Sequence, residues 1–163
     1  MNRSDLIPSK IVDAQEAVRM SIRWRLPGKR IAFTNGVFDI LHPGHIYSLS
    51  AAAREADYLV VGLNSDASVK RLKGPERPVN DEQSRALVLA SLVIVDAVVI
   101  FEEDTPLELV KFLMPDVKVK GGDYKVHEIA GAREVKEAGG RVIINPILPE
   151  WSTTSLIEKI RKT

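Results

Sequence analysis

Two of the chain's three histidines, His42 and His45, fall within GVFDILHPGH, Gly36 to His45, directly after an apolar run. His42 takes the position of a helix N-cap. Pro43 takes the first helical position, where its missing N–H costs nothing. His45 follows three residues later, which brings both imidazoles near one side of the helix entrance. The open backbone N–H groups of a first helical turn attract anions, and the helix dipole adds to this. Gly36 lets the backbone approach a ligand closely as the strand ends. Together these residues predict a phosphate site with two imidazole donors. The plainer alternative is a strand-to-helix turn carrying two surface histidines. A metal shared by the two rings is a third option, but a catalytic zinc needs a third protein ligand. The remaining histidine, His127, reads as a surface residue at a helix start, and no carboxylate is placed by motif to complete a set. No metal ligand is assigned.

Such a decapeptide needs a strand before it and a helix after it, and the chain supplies this pattern repeatedly. RIAFTNG, DYLVVGLNS, DAVVIF, DVKVKGG and RVIINPI read as five short strands. Between them lie helix-like segments: from Pro43 to about Glu55, from Asp81 to about Leu92, from Pro106 past Leu113, and HEIAGAREVKEAGG, which glycines stop. A leading amphipathic helix, KIVDAQEAVRMSIRWRL, is predicted to bury Ile11, Ala14, Val18 and Ile22, with Met20 and Trp24 also packed, and SLIEKIRK closes the chain as a helix. DASVKRLKGPERPVN is polar and punctuated by Pro and Gly, so residues 65–80 are expected to form a long mobile loop, ordered only when a triphosphate binds. Strands alternating with helices predict an α/β, Rossmann-like, doubly wound parallel five-stranded sheet with helices on both faces. Such sheets bind ligands beyond the carboxyl ends of their strands. Here those ends are TNGVFDILHPGH, LNSD, FEED, KGGDY and NPILPEWSTT, where most of the unusual polar residues gather.

At 163 residues the chain is expected to be a single domain, 1–163, with a helical extension over 1–29 and a catalytic core over 30–163. A formal net charge of +1 gives no general pull toward nucleic acid or a membrane surface. The absence of cysteine excludes disulfides and thiolate metal sites. No apolar run approaches the roughly 20 residues that span a bilayer, and MNRSDLIPSK lacks a signal-peptide core, so a cytoplasmic location is expected.

FTNGVFDILHPGH resembles the HxGH signature of the nucleotidyltransferase superfamily in its cytidylyltransferase-like branch, G-x-F-D-x-x-H-x-G-H. The second signature of that branch, a Ser-Thr-Thr run opening a late helix, stands in EWSTTSLIEKIR. From about Arg30 to Ile160 the chain is similar to the adenylyltransferase half of bifunctional heptose kinase/adenylyltransferases, through VGLNSDASVKRLKGPERPVN, Arg85 and VKGGDY. The resemblance implies transfer of AMP from ATP to D-glycero-D-manno-heptose 1-phosphate, giving ADP-heptose and pyrophosphate for the lipopolysaccharide inner core of a Gram-negative source. No sugar-kinase segment precedes the match, so a stand-alone transferase is expected. A homodimer is implied by resemblance only. Alternatives are a glycerol-3-phosphate cytidylyltransferase, a phosphopantetheine adenylyltransferase, a GTP-dependent heptose 1-phosphate guanylyltransferase, or a nucleotide-binding module without turnover.

The resemblance also implies roles for individual residues. His42, His45 and Lys73 are the expected catalytic groups, with Arg71 or Arg77 completing a cationic clamp beside Lys73. Nucleotide and phosphate contacts are expected from Thr34, Asn35, Gly36, Val37, Phe38, Arg85, Lys120, Gly121, Ser152, Thr153 and Thr154. Asp39, Asn64, Asp66, Arg77, Gly122 and Asp123 are the candidates for the sugar phosphate, although Asp39 also suits a local role shaping the VFDI turn. Mg²⁺ is expected to arrive on the triphosphate, held by ligand oxygens and water.

Overall fold

Ile31–Gly36 (β1) leads into Pro43–Ala53 (α2), after an opening helix at Ala14–Arg25 (α1). Tyr58–Asn64 (β2), Asp66–Lys73 (α3), Glu82–Ala90 (α4) and Ala97–Phe101 (β3) follow. Leu107–Leu113 (α5), Val117–Gly121 (β4), Ala132–Glu137 (α6), Arg141–Asn145 (β5) and Thr153–Arg161 (α7) complete the chain. The computed structural model describes residues 2–146 and 151–162. The last residue of the predicted fifth strand, Ile147, and the ILPE part of the fifth strand end lie outside the described residues.

The five strands form one parallel sheet in the order β3-β2-β1-β4-β5. The chain runs outward from β1 through β2 to β3, then crosses back to lay β4 on the other side of β1. The switch in direction therefore falls between β1 and β4, where a parallel sheet opens a crevice at its carboxyl edge. Alternation along each strand sends successive side chains to opposite faces. Ala32, Leu59, Val61, Leu63, Val98, Val117 and Val119 pack under α2 and α4. Ile31, Phe33, Val60, Ala97 and Val99 pack under α1, α5 and α6. Both faces are covered, which is why these strands read as nearly unbroken apolar runs.

The opening helix is capped by Asp13, whose carboxylate accepts from the Glu16 N–H at 2.7 Å. Its buried residues are Ala17 and Ser21, while Ala14, Met20 and Trp24 pack at the margin. This corrects the predicted stripe: Ile22 is exposed, and Ile11 precedes the helix and bridges Val98 of β3. Small residues on the buried face let α1 sit close to the sheet, and Trp24 stacks on Tyr58 with ring centroids 4.3 Å apart.

A second correction concerns residues 65–80. The first half is a helix, α3, and not a loop. Ser65 caps it by accepting from the Ser68 N–H, Asp66 lies in its first turn, and Lys70, Arg71 and Lys73 lie in its last. These are ordinary helix signals. They carried little weight in the sequence because only Ser68 and Val69 are buried, so no apolar stripe marks the segment. The predicted helix over HEIAGAREVKEAGG is also shorter, since Gly131 in the left-handed region delays its start to Ala132.

Candidate active site

At the carboxyl edge of the sheet lies a cleft of about 540 Å³, walled by the turn after β1, the start of α2, the end of α3 and the start of α7. His42 is the N-cap of α2 with Pro43 beside it, and its own side chain makes no capping bond. The imidazole is thereby free to face the cleft. His45, one turn on, stacks against it with ring centroids 3.8 Å apart, and Phe38 meets His45 edge-on at 5.2 Å. Phe38 has φ +46, a left-handed conformation that a phenylalanine adopts rarely. Gly44 separates the rings from the opposite wall: a Cβ there would lie 3.0 Å from both the His42 ring and the Trp151 Cβ. That crowding explains the glycine of HPGH.

Burial lowers the pKa of His42. Burial and the neighbouring His42 lower His45 to about 4, against a smaller opposing effect of the Ile40 carbonyl. Both rings are neutral near pH 7, and each keeps one N–H to donate. The Nδ1 atoms of both are buried without a protein hydrogen bond. Cations surround the pair: Lys73, Arg77 and Lys120 all line the cleft. Burial and the Lys73 ammonium push Lys120 below the ordinary lysine range, so two positive groups repel here until an anion arrives.

Asn35 and Gly36 line the cleft from β1, Val37, Phe38 and Asp39 from the turn after it, and Asn64 from β2. Ser152, Thr153 and Thr154 line it from α7, where Ser152 caps the helix by accepting from the Ser155 N–H at 3.0 Å. Thr34 is buried within β1 and does not reach the cleft. Gly121, Gly122 and Asp123 also stay outside its lining. Gly122 instead admits the Tyr124 ring, since a Cβ there would come within 2.7 Å of it at a φ of +128.

Three charged residues serve the frame. The Arg85 guanidinium is almost wholly buried and donates to the Val37 carbonyl, the Asp66 carboxylate and the Asn80 carbonyl at 2.7, 2.7 and 3.0 Å. It therefore holds the HxGH turn from behind and does not face the cleft, and Asp66 is its partner rather than a lining residue. Asp39 accepts from Arg77 Nε at 2.7 Å and from the Val79 and Asn80 N–H groups at 2.9 and 3.0 Å. Burial works to raise the Asp39 carboxyl, but the Asn80 and Val79 N–H groups and Arg77 outweigh it and hold the pKa low. Arg71 turns outward to Asp104 at 2.7 Å, which leaves Lys73 and Arg77 as the cations of this segment at the cleft.

Sequence reasoning passed over Tyr124, which lines the cleft, and Lys118, which lines a smaller cavity beside it, and left open whether Trp151 reaches the nucleotide. Trp151 closes the cleft over His42, their rings nearly parallel with centroids 6.3 Å apart. Tyr124 lies beside Lys120, whose Nζ is 5.5 Å from the ring centroid. Lys118, one step down β4 from Lys120 on the same face, is fully buried against Asn35. In the sequence DVKVKGG signalled a strand and gave Lys118 no role; the crossing of β4 beside β1 buries it wholly and Lys120 in part.

The cytidylyltransferase-like family model matches residues 33–159. The chain is 56% identical over 151 residues to the bifunctional protein HldE of Mesorhizobium japonicum, covering 93% of this chain and 30% of that protein. It is 55% identical over 152 residues to the bifunctional protein HldE of Acidiphilium cryptum, covering 93% of this chain and 31% of that one. The chain thus spans about 30% of the length of these curated relatives. The lipopolysaccharide core biosynthesis protein from Thermoplasma volcanium superposes with a TM-score of 0.61 at 31% identity, over 74% of this chain and 98% of that one. The pantoate–β-alanine ligase of Francisella tularensis superposes with a TM-score of 0.57 at 16% identity, over 94% of this chain and 78% of that one, a likeness of fold alone. With the HxGH turn at the sheet's switch point and the Ser-Thr-Thr run opposite it, the chain belongs to the cytidylyltransferase-like family.

Proposed function

We propose that the chain transfers AMP from ATP to heptose 1-phosphate, releasing pyrophosphate and forming ADP-heptose. One observation carries the reading: the stacked His42 and His45 face a cleft that also gathers Lys73, Arg77, Lys120 and the capped start of α7. That is a receptor for a polyphosphate. The choice of a heptose phosphate as acceptor rests on the identity to the HldE proteins.

An oxygen of the sugar phosphate attacks the α-phosphorus, the bond from that phosphorus to the bridging oxygen breaks, and pyrophosphate leaves. The attacking oxygen is already ionised near neutral pH, so no general base is required. What the protein supplies is alignment and charge stabilisation. His42 and His45 donate N–H bonds to phosphate oxygens, and an anion there offsets the burial that keeps the rings neutral. Lys73, Arg77 and Lys120 neutralise the triphosphate. Ser152, Thr153 and Thr154 offer hydroxyls and the N–H groups of the α7 first turn to the departing phosphates. Among the described residues no group of three or more carboxylates and imidazoles is placed to cage a metal ion, and Asp39 is committed to Arg77. That donor set fits Mg²⁺ carried on triphosphate oxygens and water, where it supplies charge neutralisation.

The deciding experiment crosses ATP, CTP and GTP with heptose 1-phosphate and glycerol 3-phosphate and follows pyrophosphate. Release is expected with ATP and heptose 1-phosphate together. Strong turnover of CTP with glycerol 3-phosphate would overturn the assignment.

A further inference from the structure

Lys118 is fully buried, on β4 opposite Phe33. An ammonium out of water is costly unless its N–H groups are used. Among the described residues it pairs with no carboxylate. Its Nζ donates to Asn35 Oδ1 at 2.8 Å and lies 4.5 Å from the Phe33 ring centroid. An ammonium has three donors, and these two contacts leave one over. Packing alone would be better served here by leucine or methionine.

The position of Asn35 suggests why a lysine is there. Behind the main cleft lies a smaller cavity of about 180 Å³. Asn35, Asp104, Lys120 and Tyr124 line both spaces, so Asn35 stands in the partition between them. An asparagine amide can present either its oxygen or its NH₂ group. The Lys118 ammonium can only donate, and its Nζ stands 2.8 Å from the Asn35 Oδ1: the oxygen turns to β4 and the NH₂ is left on the opposite edge. Lys118 and Glu128 line the smaller cavity only. Its mixture of lysine donors and carboxylate acceptors suits hydroxyl groups, which do both.

We propose that Lys118 is a positioning residue for the acceptor substrate: it locks the Asn35 amide so that its NH₂ is offered to a phosphorylated polyol where the two cavities meet. The sugar's identity rests on the reading above; the coupling of Lys118 to Asn35 does not. Burial and then the Lys120 ammonium hold Lys118 well below the ordinary lysine range, and an acceptor phosphate nearby works against both by favouring the ammonium.

The test is a double-mutant cycle on Lys118→Met and Asn35→Ala, with ATP and the acceptor varied separately. Lys118→Met keeps an unbranched side chain one atom shorter and removes a buried polar group, so a melting temperature at or above wild type is expected. Its kcat/KM for the acceptor should fall about tenfold or more through KM, with the KM for ATP within about twofold. Asn35→Ala should lose a similar amount, and the double variant no more than the worse single. Asn35→Asp separates positioning from packing, because it pairs with Lys118 and keeps the fold while removing the NH₂ donor. It should raise the acceptor KM as Asn35→Ala does. Additive losses, equal losses for ATP and acceptor, or wild-type acceptor kinetics in Asn35→Asp would overturn the proposal. If the wild type does not turn over heptose 1-phosphate, the sugar assignment falls, and the cycle is read on whichever acceptor the substrate panel selects. The Asn35 side-chain NH₂ resonances report without any turnover: a shift on adding the acceptor phosphate in wild type and its loss in Lys118→Met are expected, and equal shifts in both would also overturn it.

Discussion

The Asp39 carboxylate and the Arg77 guanidinium meet at 2.7 Å, tying the turn after β1 to the segment that follows α3. The carboxylate side chain is fully buried, and it also accepts from the Val79 and Asn80 N–H groups. One residue of the HxGH turn thus fixes where Lys73 and Arg77 stand relative to the two imidazoles. Asp39→Ala leaves a guanidinium and two N–H groups without their acceptor, and a loss of about 3 kcal/mol is expected in chemical denaturation. Because the folded pKa is depressed, this contribution is present above the unfolded value of about 4 and is lost as pH falls through the lower folded one. Asp39→Asn should flatten the acid limb of the stability curve.

Removing an imidazole should separate chemistry from folding. His45→Ala is expected to reduce turnover about 10²–10³-fold while circular dichroism and melting stay near wild type. Wild-type rates in that variant would take His45 out of the reaction.

The histidine pair also predicts a pH dependence of its own. Burial lowers His45 to about 4, so between that value and the unfolded value of about 6.5 the unfolded chain binds the extra proton. Stability contributed by the neutral ring is therefore full above about pH 6.5 and declines as pH falls toward 4. A bound triphosphate raises the pKa of both rings, so nucleotide binding near pH 6 should take up protons. Calorimetry in buffers of different ionisation enthalpy measures that uptake, and His45→Asn should diminish it.

Gly44→Ala puts a methyl group 3.0 Å from both the His42 ring and the Trp151 Cβ. The helix gains a better former, so stability should change little. The ring must move by a few tenths of an ångström, and kcat/KM should fall about tenfold or more, since alignment is what the site supplies. The Trp151 fluorescence should shift with it.

Arg85 distinguishes a structural frame from a ligand contact. With three protein acceptors behind the HxGH turn, Arg85→Ala is expected to cost about 3–5 kcal/mol of stability and to lose activity through displacement of Val37 and Asp66. Weak ATP binding in a variant of undiminished stability would instead place the guanidinium on the nucleotide.

Local features of the sequence determined a good deal. The alternation of apolar runs with helical periodicity specified five parallel strands, because side-chain period and loop chemistry are short-range properties. The HPGH turn announced its own helix cap, since proline and an N-cap position act within one turn. The Ser-Thr-Thr run did the same for α7, which Ser152 caps. Only the tertiary structure decided what charged residues do once elements cross. Arg85 and Asp66 are 19 positions apart and Lys118 and Asn35 are 83, so no local pattern could pair them. The loop expected over 65–80 became in part a helix because Ser65 and Glu82 satisfy its first N–H groups, one of them from 16 residues away. Burial followed the strand order: β4 lies beside β1, and that neighbour turns Lys118 and Lys120 into the lining of the smaller cavity. A sequence carries the types of its charges, but which water each one loses is settled by the elements that pack over it.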